Sequence, residues 1–275
     1  MKQTLARRND SVTSGTVLLQ RHDASFQYSD VVHLEPMTIE EHCHDRASLN
    51  LIISGHYAEN CKDLTPRHFL PGHLIFKPAG QPHTNRLKTA ARSLVIELNH
   101  HVFDALCAHD ERFSKPWQIF DPAASRSAQQ LYYQLRAHDE PTAASDMAFE
   151  LLDYIHDRST AHNSLHYAHT PRWFGRVIDL IMVEYARSPT ITELSSLAGI
   201  CPTHFARAFK QATGDTPGAF IRARRVSAAL ALLAEDQLSG AEVAADVGFS
   251  DESHMIRTMR KALRVSPARF RRTLR

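Results

Sequence analysis

Residues 191–220 read ITELSSLAGICPTHFARAFKQATGDTPGAF, and residues 240–270 read GAEVAADVGFSDESHMIRTMRKALRVSPARF. The second stretch repeats the pattern of the first about 50 residues later. Gly199 answers Gly248. Phe205, Arg207 and Phe209 answer Met255, Arg257 and Met259, and Lys210 answers Arg260. Pro217 and Phe220 answer Pro267 and Phe270. A repeat at such a period marks one supersecondary unit used twice. Each copy predicts a helix, a tight turn at glycine, a second helix and a proline-started segment, the helix-turn-helix arrangement. In the first copy Phe205, Phe209 and Ala212 predict a buried stripe. Thr203, Ala206, Arg207, Lys210 and Gln211 fall outside it, a face of the kind that enters a major groove. Between the copies, Thr216-Pro217 to Ala234 predicts one capped helix with Phe220, Ile221, Val226, Ala229, Leu230 and Leu233 as its apolar residues. Such a connector would set the two second helices for successive major grooves, roughly 34 Å apart. A plain helical bundle fits the periodicity as well, but the duplication, the connector and the charge below favour DNA.

The chain has 275 residues and a net charge of only +2, but the charge is uneven. Residues 171–275 carry 16 Lys+Arg against 10 Asp+Glu, and residues 1–170 carry 16 against 20. The basic excess of the last third suits an anionic partner, nucleic acid first. The low total counts against a non-specific architectural binder, which lives on many phosphate contacts. Hydrophobic residues at 43% and charged residues at 23% exclude extended disorder and collagen. No uncharged apolar run approaches the ~18 residues of a membrane span, and the basic start lacks the apolar core of a secretory signal. Cys43, Cys61, Cys107 and Cys201 are scattered without a CxxC pair, which argues against a zinc ribbon and a disulfide framework and fits a reducing cytoplasm.

Over the last third the sequence resembles the DNA-binding domain of the AraC/XylS family of bacterial transcription regulators. The resemblance is carried by Leu197-Ala198-Gly199, Phe205, Arg207, Phe209-Lys210, Gly214, Pro217, Arg225, Ala229, Leu232-Leu233, Gly248-Phe249-Ser250-Asp251, Ser253-His254, Arg257, Ser266-Pro267 and Phe270-Arg271. It implies that the first reading helix presents Thr203, Ala206 and Arg207 to base edges, and the second Glu252, Ser253, His254 and Arg257. Lys210, Lys261 and the helix starts after Pro202 and Ser250 would hold phosphates. Met255 and Met259 stand where the family has Phe. Arg264 stands where it has Gly, so it must take a left-handed backbone or change the turn.

Upstream, Val17–Leu19, Leu49–Ile53, His73–Phe76 and Ser93–Leu98 are β-rich runs separated by Ser54-Gly55, Pro71-Gly72 and Pro78-Ala79-Gly80. From about residue 100 the period becomes helical, with stripes at 125–138, ended by Pro141, and at 143–157. They resemble the helical pair that many family members use as a homodimer contact, and packing on the barrel is the other reading. The expected fold is α+β. An N-terminal cupin-like double-stranded β-helix that senses an effector covers 1–115, and a helical pair 116–160. A linker follows at 161–170, then an all-α domain of two helix-turn-helix units at 171–275, whose first helix starts at Thr170-Pro171 and which should fold alone.

His42-Cys43-His44 followed by Gly55, and Gly72 followed by Pro78-Ala79-Gly80-Gln81-Pro82-His83, resemble the two cupin motifs. The resemblance implies that His42, His44 and His83 point into the barrel mouth. Residues two apart on a strand share a face, so His42 and His44 converge and Cys43 turns away. The glutamate that metal-binding cupins carry four positions after the second histidine is Ser48 here. A divalent metal held by three imidazoles and a small organic effector both remain as readings, and Glu59, Asn50 and Glu97 read as ordinary strand polars. The expected function is a sequence-specific, double-stranded-DNA-binding transcription regulator, cytoplasmic and not an enzyme, whose barrel senses a small molecule. The alternative is a metal-dependent cupin enzyme fused to a DNA-binding domain.

Overall fold

The computed structural model describes residues 14–61, 67–138, 142–161, 173–235 and 237–274. The expected linker, Pro141 and the helix start at Thr170-Pro171 lie outside them. The chain divides into two compact units. Residues up to Leu70 form one together with Ile75–Gln118, and Ile119–Arg275 form the other together with Pro71–Leu74.

The first unit is built from β1 (Thr16–His22), β2 (Phe26–His33), β3 (Met37–His42), β4 (Ser48–Ser54), β5 (Tyr57–Cys61), β6 (Arg67–Phe69), β7 (Leu74–Lys77), β8 (His83–Leu87), β9 (Ala91–Leu98) and α1 (His100–His109), with β10 (Trp117–Ile119) at its boundary. One sheet runs β1-β2-β9-β4-β7-β10 and a second β3-β8-β5-β6. β9 lies between β2 and β4 and pairs antiparallel with both. β4 and β9 each have neighbours on both sides, and one face of each is lined by large aliphatic side chains, which explains why LNLII and SLVIEL stand out in the sequence. Leu49, Leu51, Leu94, Ile96 and Leu98 are each at most 2% exposed. Their alternates Ser48, Asn50, Ile52, Ser93, Val95 and Glu97 face a pocket. Phe76 carries the packing away from the pocket, against Phe113 (5.0 Å between ring centroids) and stacked on Trp117 (5.2 Å). The buried Asp30 and Arg92 form a two-bond ion pair between β2 and β9.

The second unit is helical: α2 (Pro122–Ala137), α3 (Thr142–Ala161), α4 (Phe174–Glu184), α5 (Ile191–Ala198), α6 (Pro202–Thr213), α7 (Pro217–Glu235), α8 (Gly240–Asp246), α9 (Glu252–Leu263) and α10 (Pro267–Leu274). The duplication is visible down to its caps. Thr190 and Glu193 form a reciprocal capping box at the start of α5, and Ser239 and Glu242 do the same at α8, each satisfying two amides that a helix start otherwise leaves unpaired. α5 ends at Gly199 in the left-handed conformation (φ 69°), and the second unit turns at Gly248 (φ 84°). A Cβ at Gly199 would meet nothing. At Gly248 it would lie 2.1 Å from the Ala186 carbonyl oxygen, so only the second turn is also closed to side chains by packing.

The connector is the single helix expected, and it is buried on nearly every side, which a helix at the centre of a small bundle requires. Its Arg225 ties α4 down by donating to the carbonyls of Tyr185 (2.9 Å) and Ala186 (3.1 Å) and to the Ser188 hydroxyl. Arg224, 3% exposed, stacks over the Tyr185 ring at 4.4 Å, and burial pulls its guanidinium down to about 10. The buried stripe of α6 runs through Phe205, Phe209 and Thr213 rather than Ala212. That i, i+4, i+8 row follows the ridge along which helices interlock, and the Thr213 hydroxyl donates to the Phe209 carbonyl at 2.9 Å.

α2 binds the second helix-turn-helix unit. Gln129 donates to the Ser227 hydroxyl on α7 (2.8 Å). Gln130 donates to the Ala262 carbonyl near the end of α9 (2.9 Å), and Arg136 to the Thr273 carbonyl near the end of α10 (2.9 Å). Tyr132 faces Phe270 with centroids 6.3 Å apart. The buried stripe of α2 is thus used inside the chain, on α3 and on these helices.

Candidate functional site

The two reading helices are anchored alike and capped differently. Phe205 and Phe209 in α6, and Met255 and Met259 in α9, are fully buried. This fixes the opposite face outward: Thr203, Arg207 and Lys210 are exposed on α6, with Ala206 half-buried. Glu252, Ser253, Arg257 and Lys261 are exposed on α9, with His254 half-buried. Methionine fills the place of an aromatic ring with a more pliable side chain. Arg264 adopts the left-handed conformation at the end of α9 (φ 59°), so the turn is kept and the strain is accepted. His204 and Arg260 also lie exposed on these faces. His204 was missed although it aligns with His254 in the repeat.

α6 begins with Pro202 behind Cys201, and no side chain caps it. Its first amides are open to an anion, as helix starts favour. At α9 that place is filled: Asp251 accepts from the His254 amide (2.7 Å) and from the Ser250 hydroxyl (3.0 Å), and Ser250 also meets His254 Nδ1 (3.1 Å). These bonds, the His254 amide first, lower the Asp251 carboxyl below its ordinary range. His254 is held edge-on to Phe249 at 5.2 Å. Glu252 lies against Gly240, the first residue of α8, its carboxylate oxygen 2.1 Å from where a Cβ would stand. Two carboxylates at the start of α9 therefore work against a phosphate there.

In the barrel, His42 and His83 are cross-strand partners of β3 and β8, beside a register irregularity between Ile39 and His42. Such bulges re-aim the side chains next to them. His44 follows the strand, its carbonyl accepting from the Gly80 amide at 2.8 Å. The rings converge, with centroids 4.3 Å apart for His42–His83, 5.0 Å for His42–His44 and 5.2 Å for His44–His83. One nitrogen from each lies within 4.8 Å of the others. His42 Nδ1 meets the Glu40 carbonyl (2.8 Å) and His83 Nδ1 the Gln81 carbonyl (2.9 Å). A carbonyl only accepts, so both Nδ1 atoms carry a proton, and Nε2 of the neutral His83 ring offers a lone pair. Backbone pinning of this kind is what orients metal-binding imidazoles.

Sequence reasoning missed the neighbour that matters most. Lys77, at the end of β7, is 7% exposed, and its ammonium lies 2.9 Å from Glu59, 3.2 Å from His83 Nε2 and 3.3 Å from the Tyr57 hydroxyl. The signal was available: Ile75 and Lys77 share a face in a run that is otherwise apolar. Tyr57 donates to Glu59 at 3.0 Å. Burial first, then the Lys77 charge, brings His44 down to about 3 and His83 to about 4, so both are neutral imidazoles at pH 7. Glu59 is thus half of a buried ion pair. Asn50 and Glu97 line the pocket, and burial raises the Glu97 carboxyl. The pocket encloses about 730 Å³, counting the space open to solvent at its mouth. The three imidazoles alone are a donor set for a divalent transition ion, but an ammonium 3.2 Å from one of them does not belong in such a set.

Among the described residues no helix is long and apolar enough to cross a membrane. Residues 194–273 match the family model described as a helix-turn-helix domain. An uncharacterized HTH-type transcriptional regulator of Haemophilus influenzae is 31% identical over 84 residues, 30% of this chain and 28% of that protein. The probable transcription factor PqrA of Proteus vulgaris is 32% identical over 81 residues, 30% of this chain and 66% of that protein. For most of these relatives the match spans a third or less of their length. ToxT from Vibrio cholerae is similar at a TM-score of 0.42 and 11% identity, over 92% of this chain and 99% of that one. The duplicated caps, the paired glycine turns, the buried connector and the family match agree: residues 194–273 are a helix-turn-helix domain of the AraC type.

Proposed function

We propose that the chain is a transcription regulator that reads DNA with α6 and α9 and senses a small organic molecule in the barrel pocket around His42, His44 and His83. The observation that carries the reading is the placement of Arg207 and Arg257 at the same position of each duplicated unit, both exposed over a buried stripe. Arginine in that place can bond guanine O6 and N7 together. Lys210 and Lys261 supply phosphate contacts, and Thr203, Ala206, Ser253 and His254 flank the base edges. Glu252 and Asp251 make the second helix the weaker phosphate binder, so α6 carries more of the affinity.

The pocket is polar and holds the neutral imidazoles of His44 and His83, which suits a ligand with hydroxyl or amine donors. To regulate, the ligand must bind two states of the protein with different affinity. The protein acts in the cytoplasm, where its DNA is, and is not an enzyme. A metal-dependent barrel enzyme would use the same imidazoles and meets Lys77 where its metal would bind.

The test is fluorescence anisotropy of the full chain on DNA flanking its own gene and on random DNA of equal length, at low and near-physiological salt. The reading expects tighter binding to the flanking DNA that survives the added salt. Equal binding to both, lost together as salt rises, refutes base reading.

A further inference from the structure

We propose that the barrel pocket takes a small primary amine with a short hydrocarbon body, its ammonium paired with Glu97 on β9. This rests on the reading of the pocket as the effector site, and it narrows that effector from any hydroxyl or amine donor to an organic cation.

Most of the donors that face the pocket are already engaged within the protein. The Lys77 ammonium has three N–H groups and meets three acceptors: Glu59 at 2.9 Å, His83 Nε2 at 3.2 Å and the Tyr57 hydroxyl at 3.3 Å. Arg92 is committed to Asp30 through bonds of 2.9 and 2.6 Å. Tyr57 donates to Glu59, and the Nδ1 protons of His42 and His83 go to the Glu40 and Gln81 carbonyls. Burial lowers His33, His44 and His83, so these rings bring no fixed charge at pH 7. Both cations of the pocket wall thus have carboxylates of their own.

Glu97 is the group left over. It is 4% exposed and faces the pocket from β9. Gln27, opposite it on β2, donates to its Oε2 at 2.7 Å, but an amide is neutral and leaves the charge unmatched. Among the described residues no cation comes within ion-pair distance of it, and Arg46 is felt only through space. Burial raises its carboxyl, a cost that a bound cation would offset. Its neighbour on β4 is Ser48, and Asn50 spends both amide hydrogens on the Ser48 hydroxyl (3.0 Å) and the Ile75 carbonyl (3.4 Å). The Asn50 carbonyl oxygen is left to accept. This part of the pocket is therefore rich in acceptors, and an ammonium carries three donors and no lone pair. A hydroxyl brings one donor and needs donors in return, so it matches less well. Val31, Ile39, Ile52, Ile75, Leu87 and Val95 line the same pocket and suit a hydrocarbon body. Tyr57 is the one Phe, Tyr or Trp of that lining among the described residues, so a quaternary ammonium would lack its aromatic cage.

The experiment is calorimetry on the full chain at pH 7.5, comparing hexylamine with 1-hexanol and benzylamine with benzyl alcohol. Each pair shares a body and differs in the head group. The proteins are the wild type, Glu97→Gln and Glu97→Asp. The wild type is expected to bind each amine at least tenfold more tightly than its alcohol. Glu97→Gln, similar in shape but neutral, should bring that ratio near one. Glu97→Asp, which withdraws the charge by one methylene, should fall between them. If Glu97→Gln does not fold, Glu97→Asp is read in its place, and a ratio equal to that of the wild type then overturns the proposal. No binding of any probe overturns it, as does wild-type binding without preference for the amine, or a preference that Glu97→Gln retains. An alcohol bound as tightly as its amine refutes the cation but leaves the pocket an effector site for a neutral ligand. Amine binding that depends on Glu97 and leaves the affinity for the flanking DNA unchanged supports the amine site and refutes the effector reading instead.

Discussion

Arg207 belongs to the class of residue whose loss is read in the ligand rather than in the fold, because its side chain is exposed and rooted between two buried phenylalanines. Arg207→Ala should therefore cost about 1–3 kcal/mol of binding at the preferred site and relax base choice at one position, while melting stays unchanged. Anisotropy on the site and its single-base variants checks this, and equal losses on all sequences would refute it. The pocket histidines make the opposite kind of residue, felt in stability. An unfolded imidazole titrates near 6.5, whereas His44 and His83 titrate near 3 and 4 when folded. Above about pH 6.5 both states are neutral and nothing depends on pH. Below it the unfolded chain takes up protons that the folded chain refuses, so stability falls steadily toward pH 4. Melting of the wild type from pH 7.5 to 4.5 should show that fall, and His83→Gln should flatten it; parallel curves would place the titration elsewhere. The His-x-His spacing was legible because strand alternation fixes which residues share a face. Glu59 was not, because a charged residue on a strand reads as solvated until its burial is known, and Lys77 gave only the hint that it shares a face with Ile75 in an otherwise apolar run.

At the scale of elements, what the sequence betrays depends on whether an element's burial is one-sided. α2, α3 and α6 carry apolar residues at helical spacing and are legible as helices, although the ends of α2 and α3 and the last residue of the α6 stripe differ from the expectation. β2, β3, β5 and β8 (FQYSDVVH, MTIEEH, YAENC, HTNRL) lack the alternation that marks a strand, since their inward positions include the polar lining of a pocket. The two glycine turns look equivalent in sequence and are not. Gly199→Ala places a Cβ in open space and adds only the left-handed backbone cost, about 1–2 kcal/mol. Gly248→Ala drives the same Cβ into the Ala186 carbonyl, and should cost more than twice as much. Urea unfolding of the two variants checks the order, and equal losses would mean the second turn relaxes freely. Phe209→Ala should open a cavity worth about 3–5 kcal/mol, since the ring is fully buried between Phe205 and Phe220.

For the molecule as a whole, the change from strand to helix near residue 100 and the duplication after 190 are local patterns, and local patterns are what a sequence displays. The partner of α2 is a long-range fact. Its stripe at Leu131, Tyr132 and Leu135 shows that something is covered but not what. Gln130 on the Ala262 carbonyl, Arg136 on the Thr273 carbonyl and Tyr132 beside Phe270 make α2 part of the helical unit that holds the second reading helix. A fragment that starts at residue 173 therefore leaves helix-end carbonyls and the Phe270 surface without cover, whereas one that starts at residue 119 keeps them covered. Both should be helical, but the shorter fragment should melt lower by about 10 °C or more, given that 1 kcal/mol shifts a domain of this size by about 4–8 °C. Its loss should also be local: hydrogen exchange should rise in α9 and α10 while α5 and α6 stay protected. If the two fragments melt together with matching exchange, α2 is an ornament of the helical unit and the second helix-turn-helix stands without it.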